Sequence, residues 1–344
     1  MDVQLNTLYV MTRGATIRQD HQTLRVFVER QCKLTVPIHG LDSVVVFGMV
    51  HVTPGVLQLC GEQDVAVCFM TESGKIISRV QKLGSGNVLL RRIQFRWADD
   101  PLARGRIARN LVAGKVQNAR NVLLRGAREA NDDADRLALE RAAARLADTL
   151  FQLEKTEDVD SIRGREGDAA RIYFDVFSHL IRQQRETFQM NGRNRRPPLD
   201  PVNALLSFVY ALLLRDCASA LEAAGLDPEV GFLHVDRPGR PGLALDLMEE
   251  FRHLIADRLV LTLINRQQVK ASGFVTRDGG SVQMDDATRR AVLSAWQTRK
   301  KEEVTHLLLE QKAPVGRLPF LQARILARHL RGDLPAYVPC ILKN

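Results

Sequence analysis

Residues 83–87, Leu83-Gly84-Ser85-Gly86-Asn87, separate two kinds of hydrophobic pattern. Two glycines within four residues break both a strand period and a helix period, so this stretch reads as a linker. Upstream, short runs rich in β-branched residues (7–11, 24–28, 34–37, 44–47 and 65–70) alternate with turns marked by Gly14, Gly40 and Gly74. That pattern predicts a small β domain, with one helix near 54–62. Downstream, apolar residues recur three and four apart over 101–130, 133–151, 167–182, 201–224, 243–264, 286–311 and 319–330, which predicts helices. One interruption, 274–284, carries Asp278-Gly279-Gly280 between two β-prone strings and reads as a hairpin. The fold class is therefore α+β: a β domain over 1–85 followed by a larger, nearly all-α domain over 86–344.

Composition narrows the function. The chain is 45% hydrophobic and 26% charged over 344 residues, which excludes disorder as its main state. Its net charge is +9 and its pI about 9.6, so nucleic acid or an anionic membrane surface is the first partner to weigh. The excess is unevenly placed. Residues 1–85 hold 8 basic and 7 acidic side chains, leaving 41 and 33, a net +8, on the helical domain. The longest apolar run, 204–214, is too short to span a bilayer and contains Ser207, and the N-terminus lacks a basic leader, so no membrane role is expected. Five cysteines (Cys32, Cys60, Cys68, Cys217, Cys340) form no C-x-x-C pair, which argues against a disulfide framework or zinc finger and for a cytosolic protein with reduced thiols.

Two basic stretches stand out. One comprises Arg104, Arg106, Arg109, Lys115, Arg120, Arg125 and Arg128; the other, with Arg193, Arg195 and Arg196, lies in a Gly- and Pro-containing loop over 189–198. Each is either a solvated surface feature or a surface for phosphates.

Three places carry chemistry. In Leu243-Ala-Leu-Asp-Leu-Met-Glu-Glu-Phe-Arg-His253, a helical period puts Asp246, Glu249, Glu250 and His253 on an arc of about 100°, opposite Leu247, Met248, Phe251, Leu254 and Ile255. Such a face is either the solvated side of a surface helix or a site where carboxylates one turn apart meet a hard cation. His234 precedes the loop Arg237-Pro-Gly-Arg-Pro-Gly242, which could fold it back onto that helix as an imidazole donor or leave it a polar surface residue. Glu166 falls on the arc of Ala169, Ala170, Tyr173, Phe177 and Leu180, the apolar face of its helix. A carboxylate buried there demands a compensating cation, metal or proton. Alternatively it lies before the helix proper, as an acid favoured by the helix dipole.

Four segments together resemble one family. Arg165-Glu-Gly-Asp-Ala-Ala-Arg-Ile-Tyr173, Arg196-Pro-Pro-Leu-Asp-Pro-Val-Asn-Ala-Leu-Leu-Ser-Phe-Val-Tyr210, Gly231-Phe-Leu-His-Val-Asp-Arg-Pro-Gly-Arg240 and Leu243-Ala-Leu-Asp-Leu-Met-Glu-Glu-Phe-Arg252 are similar, in that order, to the CRISPR-associated integrase/endonuclease family, Cas one, in the style of subtype I-C. Gln322-Ala-Arg-Ile-Leu-Ala-Arg-His-Leu-Arg331 extends the likeness across the chain. The resemblance implies a β-sandwich-like N-terminal domain that forms a homodimer and a helical catalytic domain. It assigns Glu166, His234 and Glu249 as catalytic ligands of Mg²⁺ or Mn²⁺, with Asp246 an adjacent acid. Glu stands at 249 where some members carry Asp, and both are hard oxygen donors. The implied reaction is antiviral spacer acquisition: the 3′-hydroxyl of a captured DNA fragment attacks a phosphodiester at the edge of a CRISPR repeat. Water in its place would make the site a nuclease. Arg193, Arg195, Arg196, Arg237 and Arg240 are candidate DNA contacts, and the implied partners are the companion protein Cas two and a Cas four type nuclease. The competing readings are a non-catalytic basic nucleic-acid-binding scaffold and a metal-dependent DNA repair nuclease.

Overall fold

Three parallel strand pairs organise the N-terminal unit. β1 (Asp2–Gln4), β2 (Thr7–Val10), β3 (Thr16–Asp20), β4 (Thr23–Val28), β5 (Gln31–Pro37), β6 (Ser43–Phe47), β7 (His51–Val52), β8 (Ala66–Met70) and β9 (Ile76–Val80) form two sheets, with the helix α1 (Pro54–Glu62) between β7 and β8 in sequence. One sheet has the order β1-β2-β6-β8-β9, with β2, β6 and β8 parallel and both edge strands antiparallel. The other has the order β5-β4-β3-β7. Leu8, Val44, Val46 and Val67 of the first sheet meet Ile17, Leu24 and Val26 of the second, together with Val56 and Leu59 of α1, in one core. Removing each such side chain from water contributes roughly 1.5–3 kcal/mol, so the sandwich-like unit has a core of its own.

This computed structural model describes residues 2–4, 7–72, 74, 76–80, 87–190, 192–194 and 197–342. The expected linker residues 83–86, and Arg195 and Arg196 of the basic loop, lie outside the described residues. By contacts the chain divides into Met1–Ser85 and Gly86–Asn344.

The second unit comprises α2 (Val88–Asp99), α3 (Pro101–Arg128), α4 (Asp133–Glu154), α5 (Val159–Asp175), α6 (Pro201–Ala223), α7 (Gly242–Glu249), α8 (Arg258–Asn265), α9 (Asp286–Lys301) and α10 (Leu318–Leu330). Two hairpins join them: β10 (Phe274–Thr276) with β11 (Val282–Met284), and β12 (Glu303–His306) with β13 (Gln311–Pro314). Aspartates start five of these helices. The side chains of Asp100, Asp132, Asp158, Asp200 and Asp285 accept from first-turn N–H groups, and Pro101 and Pro201 follow as first helical residues. α6 has the length and apolarity of a membrane span, but most of its apolar window is buried inside this unit. None of the five cysteines forms a disulfide among the described residues.

Three expected helices end differently. The helix expected over 167–182 runs Val159–Asp175 and is followed by a 3₁₀ turn, Phe177–Leu180. The helix starts just after the Asp158 cap, eight residues ahead of the expected start, and runs through Gly164 and Gly167. The helix expected over 286–311 stops at Lys301, because Glu302 turns extended and β12 begins. The helix expected over 243–264 is broken after Glu249 and resumes as a π-helical turn, Arg252–Asp257, before α8. α2 was not foreseen; Asn87 caps it by accepting from Leu90 N–H at 3.1 Å.

Candidate active site

The site grows from a loop that packs against α7 at van der Waals limits. A Cβ at Gly231 would lie 2.7 Å from an oxygen of Asp246, and one at Gly242 would lie 2.6 Å from the carbonyl of Glu229, so only glycine allows this approach. Side chains from three helices hold the loop. Gln94 donates to the carbonyls of Asp227 and Val230, Arg104 to that of Phe232 at 2.8 Å, and Arg163 to that of Leu233 at 2.9 Å. The fully buried carboxylate of Asp246 accepts the N–H groups of Phe232, Leu233 and His234 at 2.6, 2.9 and 3.0 Å. It also meets Nδ1 of His234 at 2.6 Å. In the tautomer that donates from Nδ1 to Asp246, Nε2 is the ring's acceptor, and it stands 4.0 Å from Oε1 of Glu249.

Glu166 joins from α5 and Lys115 from α3. The Lys115 ammonium pairs with Glu166 and stands 2.7 Å from Oε2 of Glu249, while the Arg252 guanidinium stands 2.9 Å from the same oxygen. The Glu249 and Lys115 side chains are 4% and 6% exposed and Glu166 is 25% exposed, so the pair of carboxylates opens to solvent on the Glu166 side. Burial alone would raise the Glu249 carboxyl, but Arg252, Lys115 and His234 outweigh it and hold the group well below the usual carboxylate range. Arg252 lies 4.7 Å over the ring of Tyr210, whose hydroxyl donates to Asp257 at 2.6 Å.

The four-residue acidic and imidazole arc of the sequence does not survive as one face. Asp246, Glu249, Glu250 and His253 are all buried, so the surface-helix reading is overturned. Asp246 serves the His234 loop and Glu249 faces Lys115. Glu250 accepts from Cys340 N–H at 2.7 Å, Gln322 Nε2 at 3.0 Å and the Tyr337 hydroxyl. Burial, resisted by those three donors, pushes its carboxyl up to about 7. His253 turns to Asp257 at 2.7 Å. The break at Glu250 and the wider π turn separate these directions, as π-type segments do at functional sites. Glu166 sits inside α5, neither ahead of it nor fully sealed in the core.

Lys115 and Arg252 were missed as site residues. Lys115 was visible only as one member of a basic stretch; the signal for it is its position among Leu111, Val112, Val116 and Ala119, a buried face of α3 where a lone cation needs acids. Arg193 is tied down, donating to Asn203 Oδ1 at 2.5 Å and Ser207 at 3.2 Å. Arg237 is exposed and Arg240 half-buried in the loop before α7.

Among the described residues no three His, Cys, Asp or Glu side chains stand close enough to make a ready metal cluster. Even so, two carboxylates closing on one ammonium, with an imidazole lone pair at the same edge, are the charge and donor set of a cation site. The profile of the family described as CRISPR associated protein Cas1 matches residues 8–298. The chain belongs to the Cas1 family. CRISPR-associated endonuclease Cas1 1 of Moorella thermoacetica is 50% identical over 339 residues, covering 98% of this chain and 99% of its own. CRISPR-associated endonuclease Cas1 2 of Rhodospirillum rubrum is 50% identical over 343 residues, with 98% and 99% covered. An exonuclease Cas4/endonuclease Cas1 fusion of the same organism is 38% identical over 333 residues, 96% of this chain and 56% of the fusion. Two solved structures share the fold. A casposase bound to integration product has a TM-score of 0.83 at 22% identity, with 97% of this chain and 92% of that one covered. A chain of a Cas6-RT-Cas1–Cas2 complex has a TM-score of 0.82 at 22% identity, with 100% and 37% covered. This Cas1 chain therefore carries the β-then-α architecture of its family, and within its helical unit Glu166 and Glu249 meet at Lys115, with His234 next to Glu249.

Proposed function

We propose that the chain is a CRISPR adaptation integrase whose helical unit joins a captured DNA fragment to a repeat by transesterification. The observation that carries this is the convergence of Glu166 and Glu249 on one buried ammonium, with Nε2 of His234 at 4.0 Å from Glu249, in a chain 50% identical to endonucleases of the family. In the reaction the 3′-oxygen of the fragment attacks a phosphorus in the repeat, one P–O bond forms, and the bond to the leaving 3′-oxygen breaks. Glu166, Glu249 and His234 would hold a Mg²⁺ or Mn²⁺ ion, which when bound supplies charge stabilisation at the attacked phosphate. Asp246 keeps His234 aimed, through its contact with Nδ1, so that Nε2 faces the site. Lys115 and Arg252 keep Glu249 ionised and add positive charge where a phosphodiester must approach. Water in place of the sugar hydroxyl gives the nuclease outcome from the same residues.

The remainder of the reading concerns partners. Residues 1–85 form the homodimer contact, supported by the edge strand β9 with its exposed Ile77. Arg193, Arg195, Arg196, Arg237 and Arg240 are the basic side chains assigned to DNA contact in this reading. Companion proteins of the Cas2 and Cas4 types assemble with the chain in the cytoplasm, as the Cas1–Cas2 complex and the Cas4/Cas1 fusion support.

The test is strand transfer into a repeat-bearing plasmid. Glu166→Ala and His234→Ala should abolish Mg²⁺- or Mn²⁺-dependent product while leaving salt-sensitive DNA binding near wild type. Activity surviving in excess EDTA would sink the metal role. Equal loss of binding in both variants would favour a non-catalytic scaffold.

A further inference from the structure

The other end of α3 borders a second, unassigned cavity of about 790 Å³. Its walls come from α3, the turn after α5, the π turn, α8 and β12. Arg125 lies ten residues beyond Lys115, about 15 Å along the helix, and the cavity lining runs back along α3 to Asn118. Four guanidinium groups line it, those of Arg125, Arg182, Arg258 and Arg266, against a single carboxylate, Glu129. That carboxylate is already shared: Glu129 pairs with Arg125 at 2.9 Å and with Arg182 at 3.1 Å. Arg258 and Arg266 have no ion pair or side-chain hydrogen bond among the described residues. Arg258 is half-buried. Burial, followed by repulsion from Arg299 and Arg125, lowers its guanidinium to about 10 against the opposing pull of Glu302 and Glu129.

Collecting four cations in one concavity and neutralising one of them costs stability unless a ligand returns the missing negative charge. A single carboxylate ligand would leave two charges over. Phosphate groups match the surplus, because each guanidinium presents a planar fork to two phosphate oxygens. The volume falls within the range of nucleotide-sized sites, and Val122, Leu254 and Leu261 give the cavity an apolar wall for a sugar or base.

We infer that this cavity is a binding site for a ligand carrying at least two phosphate charges, with the unpaired Arg258 and Arg266 as its recognition groups. Two sources share that chemistry: a nucleoside polyphosphate, and consecutive phosphodiesters of a single-stranded DNA end. The inference does not depend on the integrase reading, since it uses none of the carboxylate-site residues.

The experiment is calorimetric titration of the full chain with ATP and, separately, with a 5′-phosphorylated oligothymidylate, for wild type, Arg258→Ala and Arg258→Ala/Arg266→Ala. Both variants relieve cation repulsion, so melting temperatures at or above wild type will show that they fold. Wild type should bind at least one probe with an affinity that falls as salt rises. Arg258→Ala should weaken that binding about tenfold or more, as expected for a lost charged hydrogen bond. Tighter ATP binding identifies the free nucleotide as the source, and tighter oligonucleotide binding identifies the strand end. Absence of binding by both probes, binding unchanged in the double variant, or tighter binding of a polyglutamate peptide than of either phosphate probe would overturn the assignment.

Discussion

Lys115→Met tests the electrostatic account of the site most directly. The substitution keeps the buried stem and deletes the ammonium that Glu166 and Glu249 share. Breaking a buried ion pair by removing one partner costs roughly 3–5 kcal/mol. The lower end applies here, because Glu249 keeps Arg252 at 2.9 Å and Glu166 is a quarter exposed. At roughly 2–4 °C per kcal/mol for a unit of this size, a loss of about 3 kcal/mol lowers the melting temperature by about 6–12 °C. The second half of the prediction concerns metal. A divalent cation replaces the missing charge directly in the variant, whereas in wild type it must displace or share with the ammonium. Thermal melts in EDTA and in millimolar Mn²⁺ should therefore show a larger metal-induced rise in Lys115→Met than in wild type. Equal melting of the two proteins in EDTA would refute the ion-pair reasoning. An identical metal shift in both would show that the carboxylates do not form the cation site.

Three further outcomes follow from single contacts. Asp246→Asn removes a charged acceptor from three backbone N–H groups and from His234 Nδ1; it should cost about 2–4 kcal/mol in chemical denaturation and abolish strand transfer while DNA binding persists. Gly105→Ala would set a Cβ 2.1 Å from the carbonyl oxygen of Glu157, so α3 must move from the start of α5, and the melt should show a loss of roughly 1–3 kcal/mol. Glu250→Gln turns an amide donor toward a pocket that offers only donors from Cys340, Gln322 and Tyr337; its urea midpoint should fall by the equivalent of about 1–3 kcal/mol with an unchanged slope.

Much of this architecture is legible before folding, and the exceptions have physical causes. The period-two runs before residue 83 and the Asp-Pro starts at 100–101 and 200–201 are local signals, so the strands and helix starts they mark can be read directly. Where local signals conflict, tertiary packing decides. Gly164 and Gly167 argue for a break that α5 does not make, while Glu302 ends α9 where the apolar period argues for continuation. The site residues Glu166, His234 and Glu249 were legible through motif resemblance, since separations of 68 and 15 residues carry no spacing signal of their own. Lys115 was not. A lysine in a basic helix looks like surface until the fold shows that its neighbours at 111, 112, 116 and 119 are core.

The placement of positive charge separates the roles that net charge alone merges. A +8 helical unit is compatible with a plain DNA-binding surface, yet its cations are not equivalent. Lys115 and Arg252 are buried against Glu249 and serve to keep its carboxylate ionised. Arg104 and Arg163 are spent on the carbonyls that shape the His234 loop. Arg193 is bound to α6, whereas Arg258 and Arg266 face a cavity without partners. Uniform neutralisation of surface arginines should therefore flatten the salt dependence of DNA binding. Neutralising Lys115 or Arg252 should change stability and catalysis with little effect on that slope. A site built this way ties its chemistry to the fold: the Lys115 charge that helps keep Glu249 ionised also fastens α3, α5 and α7 together, so disrupting those ion pairs must weaken the packing of the catalytic unit.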